Sequence, residues 1–128
     1  MIAALLLLAQ VTLNPSFTPG AVRPLSKATV CQTKWSADRR HVTERMKRDV
    51  AAKYGVPWSQ HGDYEFDHLI PRELGGADDV ANLWPQAWAE ARVKDREENR
   101  LHRAVCRGEI SLRTAQRRMR QWGLTTTP

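Results

Sequence analysis

Cysteine is scarce in this 128-residue chain: there are two, Cys31 and Cys106, and neither has a second cysteine nearby. That excludes a C-x-x-C zinc half-site and a thioredoxin-like motif, and leaves either one long-range disulfide or two separate buried thiols. A long apolar run is also missing. The stretch Ala3-Ala4-Leu5-Leu6-Leu7-Leu8-Ala9 is far too short to cross a bilayer, although it has the length of the apolar part of an export signal. Only Met1 and Ile2 precede it, with no Lys or Arg. It reads as a minimal export signal cleaved near Ala9, as part of a chain starting further upstream, or as a short apolar arm. Export is the reading adopted, which places the protein in a secreted or periplasmic compartment, with the cytoplasm as the alternative. No internal repeat is present.

A chain of this length forms one small domain whose core alone is marginally stabilising. Closing a loop of about 75 residues between Cys31 and Cys106 would add roughly 4 kcal/mol on the chain-entropy account. The formal charge of +6 is unevenly divided: residues 1–63 carry +5, residues 64–90 carry −5 and residues 91–128 carry +6. An acidic centre between basic flanks suits carboxylates that hold a cation and arginines that hold a polyanion; solvated helix faces in a basic protein would look the same.

From Val11 to Leu25 the prolines and Gly20 break any periodicity, so residues 10–25 read as an irregular arm on the domain. Ser26 caps a short helix carrying Val30 and Cys31. Val42, Met46, Val50 and Tyr54 recur every four residues, the stripe of a helix that Gly55 ends. Tyr64-Glu65-Phe66-Asp67-His68 alternates as a strand, with Tyr64, Phe66 and His68 on one face and Glu65 and Asp67 on the other, ending at Pro71. Gly75-Gly76 reverses the chain, and Asn82-Leu83-Trp84-Pro85 is a second extended piece that returns Asn82 near His68. A long helix follows from about Trp88 to Arg107, its inner face switching from charged (Lys94, Asp95, Glu98) to apolar (Leu101, Val105). Ser111 caps a last helix through about Trp122, closed by Gly123. The spacings of Trp84, Trp88 and Trp122 suit core packing.

Asp67-His68, then Gly75-Gly76, then Asn82-Leu83-Trp84-Pro85-Gln86, then Lys94-Asp95 with Glu98 resemble, in that order, the blocks of the HNH endonucleases. The likeness continues through Leu101, Val105, Cys106 and Gly108 to Leu112, Ala115 and Gln116, and covers roughly Cys31 to Trp122. It implies an α+β, mostly helical fold. Its ββα-metal core would be two short antiparallel strands and a long helix at about 64–107, flanked by N- and C-terminal helices. The single domain would span 26–128, after the arm at 10–25 and the apolar segment at 1–9. The likeness also favours the Cys31–Cys106 disulfide over free thiols.

Hydrolysis of a phosphodiester needs an activated water and positive charge on the pentacovalent transition state. The resemblance therefore implies a nuclease acting on DNA, with RNA as a further substrate, largely without sequence preference. His68 would be the general base, and Asn82 would orient it across the strand pair. Asp67 would be a ligand of a divalent metal, Mg²⁺ first, with Mn²⁺ or Zn²⁺ as alternatives. The third HNH position falls near Ala91 or Arg92, neither of which can ligate a metal. Asp95 is the replacement ligand expected, and Glu98 is either a further ligand or the ion-pair partner of Lys94. Arg72, Arg92 and Lys94 are the residues expected to meet nucleic acid. The alternative is a protein that keeps the fold and binds nucleic acid, or serves structurally, without turnover. His41 and His61 have no visible partner in the sequence.

Overall fold

A computed structural model describes residues 11–125. Among the described residues four helices and two strands carry the fold: α1 (Lys27–Gln32), α2 (Glu44–Lys53), β1 (Tyr64–His68), β2 (Leu83–Ala87), α3 (Trp88–Cys106) and α4 (Leu112–Thr125). 3₁₀ segments at Trp58–Asp63, Arg72–Leu74 and Val80–Asn82 join them. The architecture is thus α+β, a two-stranded antiparallel sheet followed at once by the longest helix. The apolar segment at 1–9 lies outside the described residues.

Local chemistry accounts for the element boundaries. Ser26 and Thr43 accept the free backbone N–H groups of Thr29 and Met46, which starts α1 and α2. Ser111 does the same for Thr114 ahead of α4. β2 runs through Pro85 to Ala87 instead of stopping at the proline, since in a two-stranded sheet a strand keeps one unpaired edge where a missing N–H removes no ladder bond. Gly123 does not close α4 but lies within it, against Leu13 and Leu69, where a Cβ would clash.

The register pairs Tyr64 with Ala87, Glu65 with Gln86, Phe66 with Pro85, Asp67 with Trp84 and His68 with Leu83. Alternation then gives the sheet two unlike faces. Tyr64, Phe66 and Leu83 join Val50, Ala51 and Val56 in an apolar cluster under α2. Glu65, Asp67, Trp84 and Gln86 share the opposite face, toward α3. A second cluster of Ile70, Leu74, Leu101, Val105, Ala115 and Met119 holds the loop after β1 between α3 and α4. Beside it the Cys31–Cys106 disulfide ties α1 to the end of α3 across 75 residues.

The N-terminal arm is docked. Thr18, fully buried, donates from Oγ1 to the Leu83 carbonyl at 2.9 Å, and Arg23 N–H donates to Gly75 O at 2.8 Å. Its backbone also bridges Val22 to Gly76, so the arm backs the loop that follows His68.

Candidate functional site

The loop between His68 and Leu83 is closed by one side chain. Asn82 is fully buried; its Oδ1 accepts from Ile70 N–H at 3.0 Å, and its Nδ2 donates to Ile70 O at 2.9 Å and Ala77 O at 3.0 Å. Its amide is therefore spent on the backbone, and its own carbonyl accepts from Leu69 N–H at 2.8 Å. Gly76 is part of the same closure, because a Cβ there would overlap the Ile70 carbonyl. Asn82 comes back near His68 as expected, but it shapes the loop and does not hold the ring.

The imidazole is held by Asp78. Nε2 of His68, a residue only 5% exposed, lies 2.7 Å from Asp78 Oδ1. Oδ2 of Asp78 accepts from His41 N–H at 2.9 Å, and Arg72 Nε reaches Oδ1 at 3.1 Å. Burial pushes the Asp78 carboxyl up, but the His41 N–H, the His68 ring and the Arg72 guanidinium outweigh it and hold the group below the usual carboxylate range. For His68, burial lowers the pKa more than the Asp78 bond raises it, so the ring sits below its ordinary value and is neutral at pH 7. A neutral ring beside an ionised Asp78 carries its proton on Nε2. The lone pair is then on Nδ1, the arrangement of a base held in one tautomer.

Asp67 faces the other way, toward α3. Lys94 is fully buried, and its Nζ donates to Asp67 Oδ2 at 3.1 Å, to the His68 carbonyl at 2.5 Å and to the Glu98 carboxylate. Burial alone would favour a neutral amine; Asp67 and Glu98 reverse that and raise the Lys94 pKa, so the ammonium persists. Glu98 is pushed up to about 7, first by burial and then by Asp67, against the pull of Lys94. Asp95 lies on the exposed side of α3, its carboxyl raised by burial and by Asp67. Ala91 is buried and Arg92 exposed, and neither a methyl group nor a guanidinium can ligate a metal.

As arranged, these donors do not fit a divalent metal: Asp67 and Glu98 both point at an ammonium, and no group of three His, Cys, Asp or Glu able to hold a metal ion forms among the described residues. In the same region the buried Gln86 amide and the Trp84 indole N–H have no hydrogen-bond partner among the described residues.

On its solvent side Asp78 lines a cleft of about 420 Å³ with Arg23, Arg39, His41 and Arg72. Arg72 is anchored there by ion pairs to Asp38 and Asp78. Of the cations expected to meet nucleic acid, Arg72 and Arg92 reach solvent, whereas Lys94 is enclosed. Asp78 and His41 escaped the sequence reading, because a loop carboxylate ten residues beyond His68 obeys no spacing rule. No protein-family model, curated protein or solved structure matches this chain.

Proposed function

We propose that this protein is a small HNH-type phosphodiesterase acting on nucleic acid, DNA first and RNA second, with His68 as general base. The observation that carries the reading is the His68–Asp78 pair, a neutral buried imidazole locked by an ionised carboxylate that also lines an arginine cleft. Nδ1 of His68 takes a proton from water while the water oxygen bonds to phosphorus and the ester P–O bond breaks, its electron pair leaving on the ester oxygen, which takes a proton from solvent. Asp78 keeps Nε2–H in place and stabilises the imidazolium that forms. Arg23, Arg39 and Arg72 offer positive charge to a phosphate entering the cleft. Mg²⁺, Mn²⁺ or Zn²⁺, the metals the resemblance implies, would add Lewis-acid charge, but Lys94 already occupies the space between Asp67 and Glu98, the carboxylates that would hold one.

A second reading, nucleic-acid binding or a structural role without turnover, is favoured by that same Lys94, which satisfies the carboxylates an HNH enzyme would turn toward a metal. A location outside the cytoplasm belongs to the proposal too, resting on the disulfide. No helix among the described residues is long and apolar enough to cross a membrane.

Plasmid nicking by the oxidised protein in EDTA, Mg²⁺, Mn²⁺ or Zn²⁺, beside His68→Ala, separates the two. Cleavage abolished in the variant is the expected result. Folded protein that binds DNA but nicks nothing under any condition would select the second reading.

A further inference from the structure

A second cleft, of about 260 Å³, opens beside the start of β1 and is lined by Arg40, Lys47, His61, Tyr64, Glu65 and Trp88. Its two rings are set rather than loose. Nδ1 of His61 donates to the Trp58 carbonyl at 2.6 Å, and the imidazole stacks on the Trp58 indole at 4.1 Å and 5°. Arg48 lies over the same indole at 4.4 Å, and two groups so close cannot share one face. Trp58 is thus sandwiched, and His61, an exposed residue, forms the outer layer of the stack. Trp88 is 48% exposed, unusual for so large an apolar side chain, and its Nε1 donates to Gly62 O at 3.1 Å, the residue next to His61.

Cations surround these rings. Lys47 lines this cleft and the neighbouring one on the Trp58 side of His61. Arg40 spends one Nη2 contact on the Phe66 carbonyl at 2.7 Å, which leaves further N–H groups of its fork for a ligand. The adjacent residue, His41, donates its N–H to Asp78. The short segment Arg40-His41 therefore joins this cleft to the His68–Asp78 pair.

Flat exposed rings ringed by cations match the chemistry of a nucleotide: a π face to stack on and phosphates to neutralise. In a duplex both faces of each base are covered by its neighbours, so only an unpaired, unstacked base can enter. We propose that the cleft lined by His61 and Trp88 takes an unpaired nucleobase, with Lys47 and Arg40 on its flanking phosphates, and that the protein therefore prefers single-stranded to duplex nucleic acid. The inference rests on the nucleic-acid reading of the His68 site and adds strandedness to it.

The test is equilibrium binding in EDTA of a fluorescent single-stranded DNA 12-mer, and of the same sequence as a duplex, to the full oxidised chain. Single-strand binding should be at least tenfold tighter and should quench tryptophan emission. Trp88→Ala, at an exposed position, should weaken it about tenfold, the size expected for one lost base stack. Lys47→Ala should reduce the slope of log K against log salt by about 0.7. Equal affinity for both strand forms, or single-strand binding indifferent to Trp88→Ala in a variant with an unchanged melting temperature, would overturn the inference. If the protein nicks plasmid through His68 yet shows that indifference, only this inference falls. If it binds the single strand through Trp88 but never cleaves, only the hydrolytic reading falls.

Discussion

Nε2 of His68 lies 2.7 Å from Oδ1 of Asp78, and the same Asp78 oxygen is 3.1 Å from Nε of Arg72. An imidazole, a carboxylate and a guanidinium are thereby linked in one line from the buried end of β1 to an open cleft. The carboxylate sets the ring's tautomer, and the guanidinium with the His41 N–H keeps the carboxylate ionised.

Asp78→Asn should therefore reduce nicking almost as far as His68→Ala does, by the 10²–10⁴-fold typical of lost general-base catalysis. The pH dependence gives a sharper sign. His68 is lowered by burial and partly restored by Asp78, so the activity of the normal protein should rise through a pKa below 6.5 and then level off. Removing the Asp78 charge removes the raising influence, and the residual activity should keep its acid limb at still lower pH. An acid limb that moves upward would exclude Asp78 as the partner of the His68 ring in the proposed reaction.

Asn82→Ala separates shaping from orienting. The change strips partners from Ile70 N–H, Ile70 O and Ala77 O in a buried loop, and should destabilise by roughly 3 kcal/mol in urea titrations. Because Asn82 spends its amide on the backbone, whatever activity survives should keep the acid limb of the normal protein. A displaced limb would mean that Asn82 acts on the ring after all.

The strand alternation, the helix stripes and the capping serines were all legible in the sequence because each is a local pattern with a fixed period. Asp67 and His68 were correctly placed on opposite faces for that reason. Asp78 was not legible, since its meeting with His68 depends on a loop whose path is set by Asn82, Gly76 and the docked arm. Trp88 was misplaced in the core: it starts α3 on the solvent side, where the spacing of tryptophans carries no information about the sandwich at Trp58. Lys94 shows the limit of reading charge as surface. Its ammonium is buried because Asp67 arrives from β1 to join Glu98, the neighbour one turn along α3 already expected as its ion-pair partner; the Asp67 half of that meeting lies in no window along the chain.

Removing the Lys94 ammonium leaves two carboxylates facing one another without compensation. Lys94→Met should cost about 3–5 kcal/mol, the loss usual when one partner of a buried ion pair is deleted. Adding Asp67→Asn and Glu98→Gln to that variant should return much of the loss, since no unpaired charge then remains. The single Lys94 variant should also gain thermal stability from millimolar Mn²⁺ where the normal protein gains little, because a divalent cation can replace the missing charge. Thermal melts with and without Mn²⁺ decide the point; equal stabilisation of both proteins would show that Lys94 does not compete with metal.

Glu98 gives a stability prediction whose sign depends on pH. Burial, with Asp67 and Asp95 adding to it, raises its carboxyl to about 7, while in the unfolded chain it titrates near 4.5. Between those values the folded state holds a proton that the unfolded state has lost, so for this group folding is favoured by acid and penalised as pH rises toward 7. Glu98→Gln keeps the shape and imitates the protonated form at every pH. Its melting temperature relative to the normal protein should therefore climb from pH 5 to pH 8, as the penalty grows in the normal protein and is absent from the variant. A difference that falls over this range would mean that the ion pair with Lys94 outweighs the burial of the carboxylate, and that Glu98 is ionised at neutral pH.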